Sequence, residues 1–133
     1  YRVGSGFDWQ GFGDLKRYLI GTVAGYVNQD GFDAMARRGE LKLEPVSTDA
    51  MNLQKLLARR VDAIVIDRAV LDYALASHPA YSVRRESIAF HPRLLQLHTL
   101  HVCFRPTPEG QALQAAFDQA LETPPATVRD RGR

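Results

Sequence analysis

Short apolar runs alternate along this chain with stretches in which apolar residues recur at helical spacing. Tyr18 to Val23 is the first run. It ends at Ala24-Gly25 and predicts a buried strand. From Asn28 to Arg38, Phe32, Met35 and Ala36 fall at helical spacing, and Gly39 stands where such a helix stops. Leu41 to Val46 alternates as a second strand, with Pro45 suited to a strand end or an edge. Ser47, Thr48 and Asp49 are all N-cap types. The helix they start carries Leu53, Leu56 and Leu57 on one face. Val61 to Ile66, rich in β-branched residues, predicts a third strand closed by Asp67. Arg68 to Ser77 returns to helical spacing through Val70, Leu71, Ala74 and Leu75, and His78-Pro79 stops it. Strand and helix thus alternate, with crossovers long enough for parallel pairing. The expected class is α/β, a three-layer αβα arrangement on a mostly parallel sheet.

Outside this core the pattern is less regular. Residues 1–13 read as an irregular lead-in, and residues 14–96 as one α/β lobe. Val83 to Phe90 predicts a strand, and Leu94 to Phe104 another strand with its approach. Thr107-Pro108 is a cap followed by proline at the first helical position. Leu113, Phe117, Ala120 and Leu121 make the apolar face of a last helix. Residues 97–123 therefore read as a returning strand and a C-terminal helix. Pro124-Pro125 stops that helix, and residues 124–133 read as a disordered tail.

Composition narrows the function classes. The chain has 133 residues, 45% hydrophobic and 24% charged, which suits one globular domain and excludes intrinsic disorder. Its net charge is only +2, and Arg2, Arg129, Arg131 and Arg133 sit near the two ends. The body is close to neutral, so nucleic-acid binding through a basic patch is not expected. No apolar run approaches the roughly 18 residues of a membrane span. The single cysteine, Cys103, allows no intrachain disulfide and reads as a packed, inert thiol. The chain opens on Tyr1 with neither an initiator Met nor a signal region, as a processed chain or a piece of a longer protein would.

Candidate chemistry is sparse. Gly4 and Gly6 resemble a phosphate loop only weakly, with no strand before them and no Gly-Lys-Ser/Thr after them. His98 and His101 would point to opposite faces of a strand, and His78 and His91 are isolated. No metal site is expected. There is no Gly-x-Ser-x-Gly elbow, and neither Asp30 with Asp33 nor Asp62 with Asp67 stands out as an acid–base pair. What is left is the set of loops after the three strands. Ligands of parallel α/β sheets bind outside the carboxyl ends of the strands, beside helix N-termini. These ends are Val23 through Asn28, Ser47-Thr48-Asp49 and Ile66-Asp67-Arg68. Gly25 would let the backbone approach a ligand. Backbone amides at the first two ends could hold a carboxylate, and Asp67 could accept from an ammonium group. Each also has a purely structural role open to it, a tight turn at Gly25 and helix caps at Thr48 and Asp67.

Three strings carry a family resemblance. Asp14-Leu15-Lys16 with Ile20-Gly21-Thr22-Val23-Ala24-Gly25-Tyr26 resembles the DLKGKxIGVxxG segment of bacterial extracellular solute-binding proteins of the polar-amino-acid type, family 3. Asn52 through Asp67 is similar to their LxxLxxGRVDAxVxD segment, with Arg59 where the family usually has glycine. Leu100 to Phe104, followed by Gly110, Phe117 and Leu121, resembles their returning strand and last helix. The resemblance spans roughly residues 14–122. It implies the type II periplasmic-binding-protein fold, here the second lobe plus the returning strand and last helix of the first. It implies capture of a small amino-acid-like solute without catalysis, delivery to an ABC permease, and an extracytoplasmic location, with no cofactor. Gly25, Tyr26 and Val27 match the loop whose backbone meets the ligand. Asp67 matches the carboxylate that receives the α-amino group. Ile66 matches a cleft-facing position, and Val23 one where some members place a polar contact. Thr48 belongs to the second strand end.

A sensor or regulatory domain of the same fold is the next reading, and an enzyme on that fold the last. Without the rest of the first lobe, strand 97–104 and helix 107–122 would lack cover, which implies a homodimer through them.

Overall fold

The computed structural model describes residues 1–97, 99 and 101–122. The expected tail therefore lies outside the described residues. The described residues form two compact units, one of residues 1–97 and one from the described part of 98–133.

The first unit is built on a three-stranded parallel sheet in the order β2-β1-β3. The strands are β1 (Leu19–Val23), β2 (Lys42–Val46) and β3 (Ala63–Ile64). Between and after them lie α1 (Asp30–Arg37), α2 (Asp49–Leu57) and α3 (Arg68–Ser77). Leu19 faces Lys42 in register and Val23 faces Val46, while Ile20 faces Ala63. The third strand is shorter than Val61–Ile66, although its backbone bonds run on either side of the paired residues. Asp62 N–H donates to Leu19 O at 2.8 Å, and Val65 N–H to Gly21 O at 3.0 Å.

Side-chain alternation sends the two sheet faces into two separate cores. Ile20, Leu43 and Val65 pack with Phe32 and Met35 of α1 and with Trp9, Leu15 and Leu41. Ile64 and Ile66 pack with Leu53 of α2 and with Leu71 and Leu75 of α3. Helices thus cover both faces of a small open sheet, an α/β architecture of the αβα kind.

Both central helices end in the same way. Gly39 lies at φ +70°, with Gly39 N–H on Ala36 O at 2.9 Å and Glu40 N–H on Met35 O at 3.0 Å. This is the Schellman pairing that glycine makes cheap. At the end of α2 the same pairing recurs, Arg59 N–H on Leu56 O at 3.1 Å and Arg60 N–H on Lys55 O at 2.9 Å. Here the left-handed position is Arg59, at φ 59°. A side chain with a Cβ is strained in that region. Arg59→Gly is therefore expected to raise stability by about 0.5–1 kcal/mol. Urea midpoints of the two proteins check this, and a lower midpoint for the glycine variant would refute it.

Three expectations need correction. Val83 to Phe90 is not a strand. Pro79 opens a short helix, α4 (Pro79–Ser82), and Arg85–Ser87 is a 3-10 turn. Arg84, Arg85, Glu86 and Ser87 are exposed and give a sheet face nothing to bury. Only Ile88 pairs, antiparallel with Arg2. Next, no strand occurs among the described residues of 94–104. A strand exists only beside a ladder partner, and the described part of the second unit has none. Cys103 is accordingly exposed rather than packed in a strand. The lead-in is irregular, as expected, and it is packed. Trp9 is buried and Phe7 and Phe12 pack on the first core. Arg2 Nη1 donates to Leu56 O at 3.1 Å and Val61 O at 2.7 Å, answering carbonyls around the end of α2.

In the second unit, α5 (Pro108–Glu122) starts where the Thr107-Pro108 pair predicts. Thr107 Oγ1 accepts from Gly110 N–H at 3.2 Å, and the Phe104 and Phe117 rings lie 5.8 Å apart. Leu113, Phe117 and Leu121 are all exposed.

Candidate functional site

Parallel pairing puts the carboxyl ends of β1, β2 and β3 on one edge of the sheet. Since β1 lies between its two partners, the chain leaves β1 towards α1 on one face and β3 towards α3 on the other. The ends of β1 and β3 therefore flank the kind of crevice where doubly wound sheets take ligands.

The first loop turns at Gly25, whose φ is +82°. A Cβ there would meet nothing within 4 Å, so the glycine answers a conformational need rather than a steric one. Tyr26 N–H closes the turn on Val23 O at 3.2 Å. Tyr26 and Val27 are exposed. The Tyr26 hydroxyl donates to Asp49 Oδ2 at 3.1 Å, and that carboxylate pushes the phenol pKa up. Asn28 N–H and Nδ2 donate to the two oxygens of Asp33, at 2.9 and 3.0 Å, which fixes the entry to α1.

At the second end, Thr48 is the N-cap of α2, its hydroxyl accepting from Met51 N–H at 3.2 Å. At the third, Asp67 is the N-cap of α3. Its Oδ1 accepts from Ala69 N–H at 2.7 Å and Val70 N–H at 3.3 Å. Both caps thus have structural partners.

Gly25, Tyr26, Val27, Thr48 and Asp67 share the sheet edge, whereas the side chains of Val23 and Ile66 turn inward. Val23 is buried, and Ile66 packs with the α2–α3 core. Of the other candidate acids, Asp62 Oδ2 accepts from Leu19 N–H at 2.8 Å and holds β1 to β3.

Two polar residues near this framework stand apart from the expected set. Asn52 of α2 is fully buried. Its Nδ2 donates to Val65 O at 3.4 Å, two residues before Asp67, and its Oδ1 has no partner among the described residues. It lies four positions before Leu56, so its place on the inward stripe is readable from helical spacing. His91 lies against the lead-in, with Nε2 2.9 Å from Asp8 Oδ1. That ring N–H holds the Asp8 carboxyl below the usual carboxylate value. Nothing in the spacing of Asp8 and His91 announces the pair.

Among the described residues, no group of three or more His, Cys, Asp or Glu is placed to hold a metal ion. Nor is any helix among them long and apolar enough to cross a membrane. His98 lies outside the described residues. No protein-family model matches the chain, and no curated protein or solved structure matches it.

Proposed function

We propose that this chain captures a small amino-bearing solute at the carboxyl edge of its sheet, without catalysis. In this reading it is a lobe of a type II solute-binding protein that serves an ABC uptake system outside the cytoplasm. The observation that carries the reading is the convergence of Gly25, Thr48 and Asp67 at the ends of three parallel strands. Exposed amides of the Gly25 turn and of the α2 N-terminus suit a solute carboxylate. Asp67 suits its ammonium group. Its two structural bonds both end on Oδ1, and an ammonium would meet Oδ2. A second copy of the chain is the proposed cover for the stripe Leu113, Phe117 and Leu121.

The test separates Asp67 as ligand from Asp67 as cap. Asparagine caps a helix about as well as aspartate, so Asp67→Asn keeps α3 and removes the charge. The full chain is titrated calorimetrically with L-glutamine, L-glutamate and L-arginine. The expected result is saturable binding of at least one of them, weakened about 30-fold in Asp67→Asn by loss of a charged hydrogen bond. The unfolding midpoint should stay where it is. No heat from any of the three, or equal affinity in the variant, would overturn the reading.

A further inference from the structure

Residues 88–97 lead out of the first unit, and the lead-in holds them from Ile88 to Arg93. The hold begins as a short antiparallel ribbon. Ala89 N–H donates to Tyr1 O at 2.9 Å and Val3 N–H to Ser87 O at 2.8 Å. Arg2 sits opposite Ile88 and is anchored in turn on the Leu56 and Val61 carbonyls.

Further along, His91 stands among Tyr1, Phe7 and Trp9, with ring centroids 5.9–6.1 Å away. Its two ring nitrogens have different jobs. Arg93 N–H donates to Nδ1 at 3.1 Å, closer than Arg93 O at 3.3 Å from the same nitrogen, and with the amide as donor Nδ1 carries the lone pair. Nε2 then carries the hydrogen and donates to Asp8 Oδ1 at 2.9 Å. Arg93 reaches back as well, with Nη2 on Gln10 Oε1 at 3.3 Å and its guanidinium 5.9 Å from the Trp9 ring centre. Among the described residues, every polar side-chain contact from His91 or Arg93 to another part of the chain ends on residues 8–10.

From this geometry we infer that residues 1–10 act as a strap over the segment leaving the first unit, with the Asp8–His91 pair as its pin. The carboxylate fixes the imidazole ring, and the fixed ring offers Nδ1 to the Arg93 amide. Asp8 thereby orders a turn more than eighty residues away in sequence, and whether the pin is made or broken sets how freely residues 91–97 move. The inference stands on these contacts alone and does not depend on the solute reading.

The Arg93 amide is the reporter, because its partner is a ring that Asp8 holds. The Asp8 side chain is 64% exposed, and its Oδ1 also accepts from Trp9 N–H at 2.9 Å, so Ile20 and Leu53 serve as controls for the cores when Asp8→Ala removes both bonds. Amide hydrogen exchange is followed in the full chain for Arg93, Ile20 and Leu53, together with tryptic cleavage after Arg93. Asp8→Ala is expected to speed both exchange at Arg93 and the cut by about tenfold, with Ile20 and Leu53 unchanged. Asp8→Asn, which keeps an acceptor oxygen, is expected to restore most of the protection. Unchanged exchange at Arg93, or equal acceleration at Ile20 and Leu53, would overturn the inference.

Discussion

Replacing Gly21 with alanine is expected to destabilise the first unit by about 3 kcal/mol. Gly21 lies in the middle of β1, paired on both sides. A Cβ added there would fall 2.0 Å from Asn52 Oδ1 and 3.1 Å from Ile64 Cγ2. Asn52 cannot swing aside, because it is fully buried between α2 and the sheet. Backbone and helix would have to part instead. The same geometry predicts a rescue. Asn52→Ala removes the clashing oxygen, which is also a buried acceptor without a partner among the described residues. In the Asn52→Ala background, the methyl group at position 21 enters vacated space. The double variant should therefore be more stable than the sum of the singles by about 2 kcal/mol. Urea unfolding of the four proteins measures this directly. Additivity within about 0.5 kcal/mol would mean that the contact does not set the need for glycine.

Phe32→Ala is expected to do more damage, about 4 kcal/mol. Phe32 is 1% exposed and is the largest side chain that α1 delivers to the first core. Its partners there come from the lead-in, β1 and the residues before β2, so a cavity at this point loosens several elements at once. A domain of this size has roughly 5–15 kcal/mol of net stability, and the loss should lower the melting temperature by about 20 °C. Thermal unfolding followed by far-ultraviolet circular dichroism checks it. A drop below about 5 °C would mean that α1 does not carry the first core.

The order of strands and helices in the first unit is legible from periodicity, because each helix buries one face and the strands are short apolar runs between two cores. Met35 and Leu53 announce their helices by spacing, Gly39 announces the end of α1 by type, and Asp67 the start of α3. The errors fall where structure depends on a distant partner. Residues 83–90 and 94–104 contain strand-like residues, yet a ladder is a property of two segments, and among the described residues neither segment finds one along its length. The candidate site is legible only as positions. Thr48 and Asp67 read from sequence as caps, and caps they are. Asn52 is legible as an inward polar residue, while Arg2, counted as a charge near the end of the chain, works as a carbonyl clamp. The pairing of Asp8 with His91 spans most of the first unit and leaves no local trace.

The strand order also has a kinetic side. With β1 in the centre, its register with β2 joins Leu19 to Lys42, and its register with β3 joins Ile20 to Ala63. The second loop is nearly twice the first, so its closure costs about 0.6 kcal/mol more in chain entropy. The ribbon between residues 1–3 and 87–89 encloses a longer loop still. Loop entropy therefore ranks assembly from the β1–α1–β2 unit, through the docking of β3, to the ribbon that ties the start of the unit to its end. The segment leading onward along the chain is fastened by the most expensive closure of the three.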